Sequence, residues 1–416
     1  MADISAVRQD SIRLEIARLR SKQVVELKQV DLYPVFDVLL EGGEHVIARF
    51  ECDVTADDQL TRRMFERATV HEALRDIDGV TVPRIYHVQP DPSAVGLPWM
   101  LMERIPGHRV ESIAPHWKNL GVREDNMKTF QKQLATSYVH IFDTPIPDSL
   151  SKMFEEEYQH HHKDPMPAAF DIKLQYDSPT LESIDPAVIR ARDLRQETAT
   201  FLAHRFWHLM HDGQYSAEGI VLSYPEMPVL ELELPILHKL KALVPALIPS
   251  VEEYLLDDGL LGSKSLHHYD PSVTNIMVDP VTAQLTGIID WENTLAVPAL
   301  LSATYPEWIR YDGEETPMST WSSYLLQLSP DKFEYGEWRD RYDEDVRRLS
   351  PNFFKALRAG RNLKEIWDWT EKARVGRPLD RRFAAIDAWA NQKASELGVD
   401  LQVPIRRKKD WLEGRV

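Results

Sequence analysis

Asp270, Asn275 and Asp290 place two carboxylates and one amide in a single short stretch. Asn275 opens the apolar run Ile276 to Val278, and Asp290 closes the run Leu285 to Ile289, with Asp279-Pro280 starting the turn between them. If the two runs pair as an antiparallel hairpin, the start of the first lies beside the end of the second. The Asn275 amide and the Asp290 carboxylate then meet at one end, and Asp270 sits on the loop feeding that end. Hard oxygen donors of this kind suit Mg2+, which takes one or two protein oxygens and completes its shell with water and phosphate. The remaining carboxylate, Asp270, is free to orient a substrate hydroxyl and accept its proton. Phosphoryl transfer needs this division of labour, because its catalysis is mostly positioning and charge neutralisation. The competing reading is a plain turn built from residues that favour turns.

These residues need elements to position them. Ile12, Ile16 and Leu19 follow helical spacing, as in an amphipathic helix lying on a core. Asp37 to Leu40, the turn Glu41-Gly42-Gly43-Glu44 and His45 to Phe50 read as strand, tight turn, strand. Thr55 caps a helix with Leu60, Met64 and Ala68 on one face, ending near Asp78-Gly79. Val82 to Val88 and Trp99 to Glu103 read as two more strands. Residues 1–103 are therefore expected as a small antiparallel sheet with one helix, and 104–416 as a larger, mainly helical part. The fold class is α+β. Helical periodicity covers 125–142, 190–211, 236–257, 319–328 and 380–397, and the stretch 143–188 reads as a long irregular insertion with short helices.

Composition narrows the function classes. A chain of 416 residues is long enough for two packed domains. Its 49 Lys and Arg against 66 Asp and Glu give a formal net charge of −17. That balance disfavours broad binding to nucleic acid or to an anionic membrane, which reward clustered cations. Cys52 is the single cysteine, so neither an intramolecular disulfide nor a cysteine zinc finger can form, as expected in a reducing compartment. The chain has no apolar run long enough for a membrane span and no signal-like apolar region at its start. A cytoplasmic protein is expected.

His268-Tyr269-Asp270 with Asn275 five residues on, followed by Ile289-Asp290-Trp291-Glu292, resembles the aminoglycoside phosphotransferase family. Val46-Ile47-Ala48-Arg49, Glu66, Val82-Pro83-Arg84-Ile85-Tyr86 and the segment Gly96 to Gly107 fall in that family's order. The resemblance covers roughly 30–300. It implies a bilobal, protein-kinase-like fold and transfer of the ATP γ-phosphate to a hydroxyl of a small molecule. By that resemblance, adenine docks at a hinge near Met102, Glu103 and Ile105, and Arg49 contacts the phosphates. Glu66 is the ion-pair partner that orients Arg49. Asn275 and Asp290 hold Mg2+, and Asp270 acts on the acceptor hydroxyl. His268 is read as holding its loop by hydrogen bonding.

Other readings compete. The stretch 27–40, where a nucleotide-covering loop belongs, contains no glycine, and a pseudokinase that binds nucleotide without efficient transfer is the alternative. A zinc hydrolase using His160-His161-His162 with His267 and Asp270 is a third, against a solvated loop. Seven tryptophans from Trp308 onward suit helix packing or a cage for a cationic substrate. The acidic runs Glu155-Glu156-Glu157, Asp257-Asp258 and Glu314-Glu315 suit solvated surface or a cleft that favours a cationic alcohol. Arg406-Arg407-Lys408-Lys409 reads as a solvated tail.

Overall fold

In the computed structural model, Ile12 and Ile16 of helix α1 (Gln9–Arg20) are fully buried, as their spacing of four predicts. Ser21, at φ 53°, ends the helix in a left-handed turn. The structure describes residues 8–30, 34–51, 58–113, 124–161, 171–176, 185–219, 227–256, 259–268, 270–291, 294–306, 309, 335–373 and 380–401. Strands β1 (Val24–Gln29), β2 (Val35–Leu40), β3 (His45–Phe50), β4 (Ile85–Gln89) and β5 (Trp99–Glu103) form one antiparallel sheet in the order β1-β2-β3-β5-β4. Strict alternation sends Phe36, Val38, Leu40, Val46, Ala48, Phe50, Trp99 and Leu101 to one face, where they pack with Ile12 and Ile16. Each large side chain buried this way is worth roughly 1.5–3 kcal/mol. Gly42 and Gly43, at φ 88° and 83°, make the tight turn between β2 and β3.

The opposite face is half-open. Val35, Arg49 and Met100 lie in one row across it, and Asp37, Ile47 and Met102 in the next. Helix α2 (Asp58–Arg75) covers part of this face, with Leu60 and Met64 on Met100. The expected cap, Thr55, lies outside the described residues.

Beyond the sheet come β6 (His108–Arg109), α3 (Val110–Ile113), α4 (Glu124–Asp143) and α5 (Asp148–His161). The fourteen-residue α5 occupies ground expected to be mostly irregular. Helices α6 (Pro186–Gly219), α7 (Met227–Leu247) and α8 (Val251–Leu255) follow. The single helix expected over 236–257 is thus broken at Pro249-Ser250, where Ser250 and Glu253 form a capping box for α8. Strands β7 (Lys264–His267), β8 (Ile276–Val278), β9 (Leu285–Ile288) and β10 (Leu295–Pro298) interrupt the helices. Then come α9 (Ala299–Ser302), α10 (Tyr335–Leu349), α11 (Pro351–Ala359), α12 (Arg361–Ala373) and α13 (Asp380–Leu397). The expected helix 319–328 lies outside the described residues, whereas α13 matches the expected 380–397. The α+β reading holds: an antiparallel sheet comes first, and helices dominate afterwards.

The chain forms two compact units, Met1–Glu155 with Leu266–Leu295, and Glu156–Ser265 with Ala296–Val416. Within the second, Phe201 of α6 meets Trp367 of α12 edge-on at 5.7 Å, and Trp369 meets Trp389 of α13 at 4.7 Å. Trp367 and Trp369 are buried, so these two pack a core. Trp308, Trp321 and Trp411 lie outside the described residues, as do Asp257, Asp258, Glu314, Glu315 and residues 406–409. Among the described residues, no helix is long and apolar enough to cross a membrane.

Candidate active site

Every residue that the sequence singles out for phosphoryl transfer lies in the first unit. The β8–β9 hairpin forms in the expected register, with Ile276 opposite Ile288 and Met277 opposite Gly287. Just beyond the ladder, the Ile289 amide donates to the Asn275 carbonyl at 2.8 Å. Asn275 and Asp290 therefore stand at the same end. The Asn275 side chain is buried, and its Nδ2 donates to the Asp270 carbonyl at 2.9 Å and to Asp270 Oδ2 at 3.2 Å. Two acceptors fix the amide nitrogen, which turns Oδ1 away from Asp270. Asp270 itself is exposed.

His268 locks this arrangement. Its Nδ1 accepts the Asp270 amide at 3.1 Å, so the proton belongs on Nε2, which donates to the Ile289 carbonyl at 2.9 Å. One ring thereby spaces the Asp270 loop from the segment entering Asp290. Burial holds the His268 pKa below its ordinary value and keeps the ring neutral. Trp291 covers the ring edge-on at 4.4 Å and donates its Nε1 to the Ile288 carbonyl at 2.8 Å. The expectation that His268 holds its loop agrees with these bonds.

Asp290 has φ 66°, a left-handed conformation that Asp tolerates better than most residues. Its Oδ1 receives Arg49 Nη1 at 2.9 Å, joining β3 to the end of the hairpin. Glu66, expected as the Arg49 partner, takes Arg62 Nε at 2.6 Å, one helical turn away on α2. Arg67, which follows Glu66 on α2, bridges to Glu51. Buried His71, further along α2, donates Nδ1–H to the Pro83 carbonyl at 2.9 Å. Burial pushes its pKa down to about 4.

The proposed hinge follows β5. Glu103 donates its amide to the Arg84 carbonyl at 2.8 Å and accepts the Arg84 amide on Oε2 at 3.1 Å. Ile105 is buried against Gly287, where a Cβ would come within 2.9 Å of both Ile105 Cγ2 and the Thr81 carbonyl. Thr286 Oγ1 donates to the Pro106 carbonyl at 2.6 Å. The hinge and the hairpin bearing Asn275 and Asp290 are therefore in direct contact. Helix α4 braces the far end of that hairpin, with Gln133 Oε1 accepting the Leu285 amide at 2.9 Å and Asn126 Nδ2 donating to the Thr282 carbonyl at 2.8 Å. Sequence reasoning singled out none of His71, Asn126 or Gln133. The polar His71 within the Leu60-Met64-Leu74 stripe was the one signal available for finding it.

The donor chemistry fits Mg2+. An oriented amide oxygen at Asn275 and a half-exposed carboxylate at Asp290 offer two hard oxygens, within the one or two that this ion takes from protein. Among the described residues, no group of three or more His, Cys, Asp or Glu is placed to hold a metal. The side chains of His160 and His161, and all of His162, lie outside the described residues, so the zinc reading gains no described ligand set.

The bonded Asp270–Asn275 pair and Asp290 at the adjoining hairpin end thus lie together, with Arg49 of the sheet on Asp290. The chain belongs to the phosphotransferase enzyme family, which it matches over residues 34–300. A subtelomeric hrmA-associated cluster protein of Aspergillus fumigatus is 24% identical over 345 residues, covering 75% of this chain and 64% of that protein. A clavilactone A biosynthesis cluster protein of Ampulloclitocybe clavipes is 33% identical over 104 residues, 25% of each chain. The chain spans 64% of the length of the Aspergillus relatives it matches. Among solved structures, macrolide 2′-phosphotransferase of Brachybacterium faecium is similar at a TM-score of 0.42 and 11% identity, over 96% of this chain and 100% of that one. A putative aminoglycoside phosphotransferase of Ralstonia eutropha is similar at a TM-score of 0.39 and 13% identity, over 88% and 99%.

Proposed function

We propose that this chain transfers the γ-phosphate of ATP to a hydroxyl group of a small molecule. The observation that carries the reading is the bonded set in which Asn275 holds Asp270 through its side chain and Ile289, next to Asp290, through its backbone. Asp270, exposed and fixed at Oδ2, orients the acceptor hydroxyl and takes its proton as the oxygen attacks the γ-phosphorus and the bond to the β–γ bridging oxygen breaks, releasing ADP. Asn275 and Asp290 hold Mg2+, which when bound neutralises charge on the phosphate oxygens. Arg49 supplies a second cation for the phosphates, carried on the half-open face of the sheet. Its planar fork matches phosphate oxygens as it matches the Asp290 carboxylate. The base docks along Met102, Glu103 and Ile105, on strand β5 and the hinge beyond it. His268, neutral and bonded on both nitrogens, keeps Asp270 and Asp290 at a fixed separation.

The net charge of −17 favours a cationic alcohol as acceptor. Incubation of the purified protein with labelled ATP, Mg2+ and a metabolite extract tests activity and acceptor class together. Label transfer to a small molecule, abolished by Asp270→Asn, is expected. Nucleotide binding without transfer to any acceptor sinks this reading in favour of the pseudokinase.

A further inference from the structure

The inward face of α2 carries Leu60, Met64, His71 and Leu74, all buried. A histidine in an apolar stripe costs desolvation that leucine would not. The bond from Nδ1–H to the Pro83 carbonyl leaves Nε2 as an acceptor lone pair. The charges that act on this ring come from β3, from the end of the hairpin and from the loop before Asp270: Arg49, Asp290 and His268. His71 therefore lies within electrostatic reach of the Arg49–Asp290 ion pair, though it belongs to neither partner's element.

The segment it holds connects to that site. Residues Gly79–Pro83 run between α2 and β4 as a strap that three elements grip. Ser137 of α4 donates to the Gly79 carbonyl at 2.9 Å, and the Ile288 amide of β9 donates to the Thr81 carbonyl at 2.9 Å. His71 grips the third point, Pro83. Strand β9 lies at the edge of the β6-β8-β9 sheet, and the strap supplies a partner for its outer side. Ile288 is two residues before Asp290, whose left-handed φ makes its direction depend on the backbone entering it.

We propose that His71 is a positioning residue for Asp290, acting through the strap: its bond to Pro83 sets Thr81, Thr81 sets Ile288, and Ile288 sets the direction of the carboxylate. The proposal rests on the phosphotransferase reading for its purpose but not for its geometry. The helix bearing Glu66 and the hairpin bearing Asp290 are thereby joined through the strap, by one side-chain bond at Pro83 and one backbone bond at Thr81.

His71→Leu keeps most of the volume and removes the donor, whereas His71→Asn keeps a donor near the Nδ1 position. Two quantities are read on each full-length variant. The first is hydrogen exchange of the peptide covering Leu285–Trp291, and the second is the calorimetric affinity for ADP with and without Mg2+. Ile16→Ala in the α1 core serves as the control for general loss of stability. Removing a residue that orients a metal ligand typically weakens metal affinity 10–100-fold, so His71→Leu is expected to lose roughly tenfold in Mg2+-dependent ADP affinity. The same variant should exchange faster at Leu285–Trp291, and His71→Asn should recover most of both effects. Ile16→Ala should lower the melting temperature and leave both readouts near wild type. Unchanged exchange at Leu285–Trp291 in a folded His71→Leu overturns the strap. Faster exchange with unchanged Mg2+ dependence reduces His71 to a structural brace and overturns the positioning role. Wild type that binds no Mg2+–ADP rejects the phosphotransferase reading instead, and leaves the strap with only that structural role.

Discussion

Arg49 and Asp290, 241 residues apart in sequence, share a hydrogen-bonded ion pair of 2.9 Å between strand β3 and the end of the β8–β9 hairpin. One partner is the cation proposed for the phosphates and the other a proposed metal ligand, so each neutralises the other until nucleotide and metal arrive. Both side chains are about one-third exposed, and pairs this open contribute roughly 0–1 kcal/mol to stability. The pair is weak enough to open. A double-mutant cycle with Arg49→Ala and Asp290→Asn should give a coupling below about 1 kcal/mol in thermal unfolding. The same cycle read on Mg2+–nucleotide affinity should be strongly non-additive. Additive losses there would show that the two residues do not act on the same ligand.

The neighbouring pair tests how α2 contributes. Glu66 takes Arg62 one turn away, an i,i+4 contact worth about 0.3–0.5 kcal/mol. Arg62→Ala should therefore change melting temperature little. If Glu66 orients Arg49 when nucleotide is bound, Glu66→Ala should raise the KM for ATP, and Arg62→Ala should raise it far less. Equal KM effects would assign both residues to the helix surface and remove Glu66 from the site.

Much of the site was legible because its signals are local. The Gly42-Gly43 turn between alternating runs gives the β2–β3 hairpin, and Asp279-Pro280 between two apolar runs gives β8–β9 with its register. That register alone brings Asn275 beside Asp290. Partner choice among charged residues is a different matter, since periodicity says which face Arg49 occupies but not which carboxylate meets it. Glu66 had a closer partner within its own helix. The strap was illegible for a related reason: Thr81 and Pro83 act through carbonyls, and backbone oxygens leave no trace in residue type. In the second unit, α10, α11 and α12 are separated by single residues, Ser350 and Gly360, so no loop-like stretch marks where one helix ends and the next begins.

Gly287 provides a steric test of the contact between hinge and hairpin. Gly287→Ala would set a Cβ 2.9 Å from the Thr81 carbonyl and from Ile105 Cγ2. Backbone oxygen cannot swing aside as a side-chain tip does, so either the strap or the hinge must move. Overpacking of this kind costs typically 1–3 kcal/mol. The melting temperature should fall, and affinity for the nucleotide base should fall with it. Wild-type stability in Gly287→Ala would show that the contact is loose enough to admit a Cβ.

Two histidines buried beside the candidate site should weaken the fold as pH falls. His71 is held down to about 4 from an ordinary value of 6.5, and His268 is lowered in the same direction, burial being the main cause for both. The unfolded chain binds protons at these rings from about pH 6.5 downward, while the folded ring of His71 resists until about pH 4. Stability should therefore be full above pH 6.5 and decline as pH falls through that window. The His71 contribution alone is on the order of 3 kcal/mol by its end. Melting temperatures between pH 7.5 and 5 check this, because most carboxylates titrate lower. His71→Asn should flatten the decline; the same slope in wild type and variant would reject His71 as its source.

The two aspartates should separate by role, because they occupy different places. Asp290 stands at the hairpin end with Arg49, and Asp270 is exposed on the preceding loop with one oxygen tied to Asn275. Asp290→Asn removes the negative charge that a cation needs, so Mg2+-dependent nucleotide binding and turnover should both fall. Asp270→Asn leaves the proposed metal donors in place. Its nucleotide affinity should stay within about twofold of wild type, while turnover drops roughly 10²–10⁴-fold, the usual scale for losing a general base. Loss of an interaction made mainly in the transition state lowers kcat more than it raises KM, which gives Asp270→Asn a kinetic signature of its own. Calorimetric titration with a non-hydrolysable ATP analogue, with and without Mg2+, beside initial rates, reads both quantities. Equal loss of Mg2+-dependent affinity in the two variants would mean that Asp270 touches the metal, and the acceptor hydroxyl would then need another base.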